Sequence, residues 1–239
     1  MACCKHQMEK NVYGDLQPIA YSESFSEELQ REIYKTIRLG LTNDFMGESS
    51  HVYGFFPLFK DGFVAAHYEL MELTEPTSRG KPVFSEFLYI TLSQLEKIDW
   101  DVYPIFQAFK NISYYKNITK DIPPIEIEFT NNTIRVDVLS QFPAQIGAVL
   151  AKYLSSREKI NIISSLGDHK IRIEFLCSIF QCIPQPYRAS ISFSTLAKDT
   201  SDSVRVFFFD SAKPIWTGCR VAISKYTRLI WCNICKLDR

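Results

Sequence analysis

An Asp61-Gly62 pair between two apolar runs in residues 51–73 is the feature that most constrains the fold. An Asp-Gly dipeptide in this setting favours a β-hairpin, because a tight turn needs residues that tolerate positive φ. Residues 83–90 are again largely apolar, which predicts a strand covered on both faces. A short helix is expected at 92–98. The first half of the chain is therefore expected to contain a sheet.

One helix in this half carries both start and stop signals. Ser24 and Glu27 have the spacing of a capping box, in which the two side chains satisfy free N–H groups at a helix start. Gly40 can adopt the left-handed conformation that often ends a helix. Together these signals predict a helix at about 26–39. A further helical turn is predicted at 103–110.

The second half of the chain alternates between strand and helix patterns. The predicted strands are 125–129, 133–138, 159–164, 190–197 and 203–210, and the predicted helices are 141–155 and 169–182. This β-β-α-β-α-β-β order predicts a sheet covered by helices, with at least one parallel pair of strands. The run Phe207-Phe208-Phe209 makes both faces of one strand apolar, so that strand must lie inside a sheet or dock on another chain.

The predicted fold class is α+β (mixed α/β), with helices packed on mixed sheets in two similar-sized halves. The composition changes within 99–124, where Pro123-Pro124 cannot continue a helix. We therefore divide the chain into an N-terminal α+β half at 1–120 and a C-terminal half at 121–212. The tail at 213–239 fits no pattern.

Composition narrows the possible partners. The chain has 239 residues, 27 basic and 27 acidic side chains, and a hydrophobic fraction of 46%. A disordered chain would be poorer in apolar residues, and a polyanion-binding protein would normally be basic. A nucleic acid is therefore not an expected partner. The stretch at 109–120 mixes aromatic and basic residues, as single-strand binders do, but a solvated linker is the favoured interpretation.

The sequence also lacks several targeting signals and cofactor-binding motifs. No apolar run reaches 18 residues, and residues 1–10 contain no apolar core of a secretion signal. The odd number of cysteines, seven, does not fit a disulfide framework. No glycine-rich nucleotide-binding loop is present. We expect a cytoplasmic protein with reduced thiols, no membrane partner and no cofactor.

His67 is the leading candidate for acid–base chemistry. It lies in a predicted strand beside Glu69 and Glu72, and residues two apart in a strand share a face. A carboxylate could orient the imidazole as a general base. The alternative is an ordinary His–carboxylate pair on a partly exposed sheet face.

The cysteines offer weaker candidates. Cys177 could be a nucleophile, but a buried Cys on an apolar helix usually packs as a small hydrophobe. Cys232 and Cys235 form a C-x-x-C pair that could share a zinc ion. The ligands that could complete such a site at the other terminus are Cys3, Cys4 and His6. Two ordinary thiols in the tail are the favoured interpretation.

Three segments, in chain order, carry a resemblance to a known family. They are HQMEKNVYGDLQPIAYSES (6–24), FKDGFVAAHYELMELTEPTSRGKPVFSEFLYITLSQLEKI (59–98) and CIPQPYRASISFST (182–195). They resemble the N-terminal domain of the bacterial GTPase-associated protein one family, whose members are predicted components of GTPase-centred conflict (defence) systems. Many members carry a His where this chain has Glu86 or Phe87, which is a departure.

The resemblance implies a non-enzymatic interaction or adaptor module with a GTPase or ATPase partner, or other proteins of the same bacterial defence system. It assigns no catalytic residues. The positions that match its last segment, and that we take as interaction residues, are Arg188, Ser192, Phe193 and Thr195. The alternative function is an uncharacterised hydrolase that uses His67 with Glu69 or Glu72.

Overall fold

One mixed β-sheet connects the two halves of the chain in the computed structural model. The residues that the structure describes are 2–10, 16–22, 26–36, 51–58, 62–70, 83–111, 119–120, 125–127, 136–156, 159–164, 169–197, 205–209 and 219–223. With helices packed on this sheet, the fold is α+β, as predicted.

Eleven β-strands lie within the described residues, numbered here in chain order. They are β1 (Ala2–Lys10), β2 (Leu16–Tyr21), β3 (His51–Leu58), β4 (Gly62–Leu70), β5 (Val83–Thr91), β6 (Thr119–Lys120), β7 (Ile125–Glu126), β8 (Ile160–Ser164), β9 (Phe193–Ser194), β10 (Val206–Phe209) and β11 (Cys219–Ile223). Their order in the sheet is β11-β8-β10-β9-β3-β4-β5-β1-β2-β6, and β7 pairs with β1. The strands β3, β4, β5 and β1 pair antiparallel, whereas β8 is parallel to both β10 and β11.

Seven α-helices lie within the described residues. They are α1 (Glu27–Thr36), α2 (Leu92–Lys97), α3 (Tyr103–Ala108), α4 (Val136–Gln141), α5 (Pro143–Ser156), α6 (His169–Cys182) and α7 (Gln185–Arg188). A 3₁₀ turn, Phe109–Asn111, continues α3. Among these helices, none combines the length and the apolar character needed to cross a bilayer.

Most predicted elements of the first half are confirmed. The hairpin β3–β4 runs in register from His51 opposite Glu69 to Leu58 opposite Gly62. The predicted helix at 26–39 is present as α1, where the Ser26 hydroxyl accepts a hydrogen bond from Leu29 N–H at 3.2 Å. Ser26 therefore caps this helix start. Ser24 and Gly40 lie outside the described residues.

Of the strands predicted in the second half, the one at 133–138 is wrong and the one at 190–197 is too long. Residues 133–138 were expected to form a strand, but α4 begins at Val136. Val138 is buried in the hydrophobic core, so packing between helices overrides its preference for a strand. The predicted strand at 190–197 is reduced to β9. There the Ser194 hydroxyl donates to the carbonyl oxygen of Leu196 at 2.7 Å and curls the chain away from the ladder.

The short strand β9 joins the two halves. Phe193 pairs antiparallel with Phe55 of β3 and parallel with Val206 of β10. β10 therefore lies inside the sheet, as its apolar run predicts, and Phe207 and Phe208 are fully buried. Much of the predicted boundary stretch, at 112–118 and 121–124, lies outside the described residues, so the division at 120 stays a prediction. The tail contributes β11.

The core lies on the sheet face that α3 and α6 cover. Phe55 stacks on Phe63 and Phe193 with ring centroids 4.8 and 5.5 Å apart. The edges of Phe106 on α3 and Phe180 on α6 meet the same Phe55 ring. Aromatic pairs of this kind add stability beyond the area that they bury. They form a rigid base for the polar end of the same sheet face.

Candidate functional site

The register of the β3–β4–β5 antiparallel strands brings five polar or aromatic residues together. Three directly opposed pairs are involved: His51 with Glu69, Tyr53 with His67, and His67 with Glu86. Opposed residues in an antiparallel pair point to the same face, with Cβ atoms about 4.5–5.5 Å apart. We call His51, Tyr53, His67, Glu69 and Glu86 the histidine cluster.

His67 is the centre of the histidine cluster. Its Nδ1 lies 3.0 Å from a carboxylate oxygen of Glu86. Both residues are buried, with 6% and 4% of their surface exposed. A buried charge needs a partner and hydrogen bonds, and each of these residues supplies them to the other. Because the Glu86 carboxylate accepts the proton on Nδ1, Nε2 of His67 is available on the opposite side of the ring.

His51 extends this line towards solvent. Its Nδ1 lies 3.1 Å from Nε2 of His67, and the planes of the two rings are only 18° apart. His51 is half-buried, whereas His67 is buried. Glu86, His67 and His51 therefore form a hydrogen-bonded line that runs from the interior to the protein surface.

Aromatic side chains form the walls around His67. The Tyr53 ring stacks on the His67 imidazole with centroids 4.8 Å apart, and Phe109 lies 5.5 Å from the same imidazole. Tyr53 also contacts Phe106 edge-on. The 3₁₀ turn after α3 thus shields His67 from water and restricts the orientation of its ring.

Burial and neighbouring charges shift the pKa of His51 and Tyr53, which are both half-buried. Burial lowers the pKa of His51, the neighbouring His67 lowers it further, and Glu69 raises it in part. Burial, with Glu69 and Glu86, raises the pKa of Tyr53. Desolvation favours the neutral form of each group. His51 is thus a neutral proton acceptor at neutral pH, and Tyr53 is a neutral hydroxyl.

The same face contains a group of side chains with metal-ligand chemistry. His51, His67 and Glu69 each offer one ligand atom, and these three atoms lie within 4.8 Å of one another. Imidazole nitrogen and carboxylate oxygen are typical ligands of zinc and of other divalent transition metals.

The hydrolase prediction for His67 is sharpened by this geometry. Glu69 shares a sheet face with His67 as predicted, but the carboxylate that contacts the His67 imidazole is that of Glu86, and Glu72 falls outside the described residues. Cys177 is buried in the core on α6, which matches its expected packing role. Cys232 and Cys235 also fall outside the described residues, and Cys3, Cys4 and His6 are described only as part of β1.

Of the four positions matched to the family resemblance, Thr195 contacts the histidine cluster, whereas Arg188 lies at the far end of α6. Ser192, Phe193 and Thr195 are buried. The Thr195 hydroxyl accepts a hydrogen bond from Tyr53 N–H at 2.9 Å, so it holds β3 beside β9. Arg188 donates to the carbonyl oxygens of Ile183 and Gln181, both at 2.7 Å, and caps the end of α6. Their role in partner binding stays a prediction.

Sequence reasoning missed three members of the histidine cluster. His51 and Tyr53 lie on β3 and Glu86 on β5, so only the strand register brings them to His67. One signal was present: the Asp-Gly hairpin fixes which residues of 51–58 and 62–70 are opposed. In the sequence, Glu86 stands out only as a departure from the family pattern.

Searches of family models and of curated proteins return no match to this chain.

Proposed function

We propose that the protein is a hydrolase in which the histidine cluster activates a water molecule. The observation that carries this proposal is the line of hydrogen bonds from Glu86 through His67 to His51, buried at one end and accessible at the other. A carboxylate that orients an imidazole is the arrangement that general-base catalysis uses repeatedly.

The inner part of this hydrogen-bonded line, Glu86 and His67, fixes the orientation of the His67 imidazole. Glu86 holds one edge of the His67 ring, Tyr53 stacks on one face of it, and Phe109 packs beside it at a tilt. A catalytic group is useful only if it is held near its productive geometry, and this packing provides that. Replacing a core position by a buried His–Glu pair costs desolvation free energy that a purely structural sheet would avoid.

The outer part of the line supplies the reactive group. His51 is neutral and half-buried, so it can accept a proton from water and share the resulting positive charge with His67. Glu69, directly opposite His51, stabilises that charge. His51 is therefore assigned as the general base and Glu86 as a positioning residue.

The test is hydrolysis of p-nitrophenyl esters, phosphomonoesters, phosphodiesters and amides by the purified full chain. We expect turnover of one class, and a decrease in kcat of about 10²–10⁴-fold in His51→Gln, the typical contribution of a general base. Glu86→Gln is expected to lower kcat with little change in KM. Glu28→Gln, an exposed carboxylate on α1, is the matched control.

Turnover that both site variants retain would contradict the assignment. A chain that hydrolyses none of the four classes would contradict the proposal itself.

A second candidate is the adaptor function with a GTPase or ATPase partner in a bacterial defence system. The resemblance of the three segments supports it, and so does the exposure of Tyr187 within the last segment, at 37%. Exposed aromatic residues are common in protein interfaces.

Tagged protein expressed in a bacterial host is expected to capture a nucleotide hydrolase, and Tyr187→Ser is expected to weaken that capture. Capture of no nucleotide hydrolase would count against this function.

A further inference from the structure

We infer that the histidine cluster binds one divalent transition-metal ion of the zinc class, with His51, His67 and Glu69 as its three protein ligands. This inference deepens the proposed hydrolase by naming a cofactor for the same residues, and to that extent it rests on that function. The three ligands share no residue with the zinc candidate that the sequence suggests, which consists of cysteines and His6 at the termini.

The spacing of the ligand atoms supports the inference. Zinc–nitrogen and zinc–oxygen bonds of about 2.0–2.2 Å place tetrahedral ligands roughly 3.4 Å apart. His51 Nδ1 and His67 Nε2 are already 3.1 Å apart. The three ligand atoms span at most 4.8 Å, so the side chains need to close by little more than 1 Å. His51 and Glu69 are half-buried, which leaves them room to make that movement.

Glu86 gives the second, independent argument. A metal-binding histidine usually donates its other ring N–H to a carboxylate or a carbonyl, which fixes the tautomer and the ring orientation. The Nδ1 of His67 lies 3.0 Å from the Glu86 carboxylate, and Nε2 points away from it towards His51. His67 is thus held with its Nε2 on the side of the ring where His51 lies, away from Glu86.

The ligand set also selects the class of metal. Two imidazoles and one carboxylate suit zinc, iron(II), cobalt(II) and related ions, whereas calcium and magnesium prefer all-oxygen sites. Three protein ligands leave a coordination position open, which distinguishes a catalytic from a structural zinc site. A metal ion held by these three ligands would polarise a water molecule in the open coordination position, so the ion would activate the water in place of His51 as general base.

The test is titration of the chelator-treated full chain with Co²⁺, followed by its visible absorption, and competition by Zn²⁺. We expect one metal ion per chain. His67→Gln and Glu69→Gln are expected to abolish binding or to weaken it at least 100-fold. Glu86→Gln is expected to weaken binding roughly 10–100-fold, the usual effect of removing such a supporting group. Glu28→Gln is expected to bind like the natural protein.

Circular dichroism shows whether each variant is folded. His51→Gln, at the half-buried end, provides the test if His67→Gln does not fold. Absence of Co²⁺ and Zn²⁺ binding by the natural chain, or binding that His51→Gln and Glu69→Gln leave unchanged, would overturn the inference.

The outcomes separate the metal site from the hydrolase. Metal binding that depends on the cluster, without turnover of any substrate class, supports the metal site and contradicts the hydrolase. Turnover by metal-free protein that needs His51 overturns the metal site and leaves the hydrolase standing.

Discussion

The two ends of one sheet face differ sharply in chemistry. Where α3 and α6 cover it, the face carries Phe55, Phe63 and Leu88, all essentially inaccessible to solvent. Four residues before Phe55, at the start of β3, the same face carries His51, and opposite Tyr53 it carries the buried pair of His67 and Glu86. The backbone register is continuous across both ends, so the difference lies in the side chains alone.

The aromatic end of the face stabilises the fold, whereas the polar end lowers its stability. Apolar side chains gain free energy from burial without needing a specific partner. A buried His–Glu pair must recover the free energy lost when its groups leave water, and it often does no better than apolar residues of similar volume. The aromatic end therefore holds the sheet together, and the histidine cluster is a site that this end supports.

The largest effect is expected at the aromatic end. Phe55→Ala removes the ring at the centre of the stack and is expected to lower the free energy of unfolding by about 3–5 kcal/mol. Leu154→Ala, at a position 43% exposed on α5, is the matched control and should have little effect. Chemical denaturation measures both. A Phe55 variant as stable as the control would contradict the division of the face.

The next effect tests the polar end. Glu86→Leu alone leaves the buried His67 without its carboxylate and is expected to cost about 1–3 kcal/mol. The double variant His67→Leu/Glu86→Leu removes both polar groups and is expected to recover that loss, or to exceed the stability of the natural protein. A double variant less stable than the single one would mean that the pair itself stabilises the fold.

A pH-dependent effect is expected on the opposite face of β4. Burial raises the pKa of Tyr68 well above its usual value of 10. Above pH 10 the unfolded chain loses this proton and the folded protein keeps it, so stability is lost as pH rises. Tyr68→Phe is expected to move the midpoint of alkaline unfolding to higher pH. An unchanged midpoint would show that other groups control alkaline unfolding.

The smallest effect is expected for charges that remain in water. Arg31 and Glu27 on α1 form an ion pair of 3.0 Å with exposed side chains. Such i,i+4 pairs contribute only about 0.3–0.5 kcal/mol, so Arg31→Ala should be nearly neutral in thermal unfolding. A large loss of thermal stability in Arg31→Ala would contradict the conclusion that burial, rather than charge itself, makes the histidine cluster destabilising.

The elements of this fold were predictable where local signals and packing agree. The Asp-Gly turn predicted the β3–β4 hairpin, and the apolar run of α6 predicted that helix at 169–182, the same residues that it occupies. The prediction failed at Val136 and Val138, because branched side chains favour strands locally and contacts with other helices decided otherwise.

The site was less predictable than the fold for a physical reason. His67 and Glu69 are two residues apart and share a face by alternation alone. Glu86, 19 positions beyond His67, reaches it only through the pairing of β4 with β5. Pairing between distant segments depends on the whole sheet, which periodicity along the chain does not encode.

The hairpin register has an evolutionary consequence. Leu58 pairs with Gly62, so three residues, 59–61, connect β3 to β4. A one-residue slip between these strands would turn His67 and Glu69 to the other side of the sheet and leave His51 behind. A mutation that shifted β4 against β3 by one residue would therefore dismantle the cluster in one event, even if every residue of the cluster were kept.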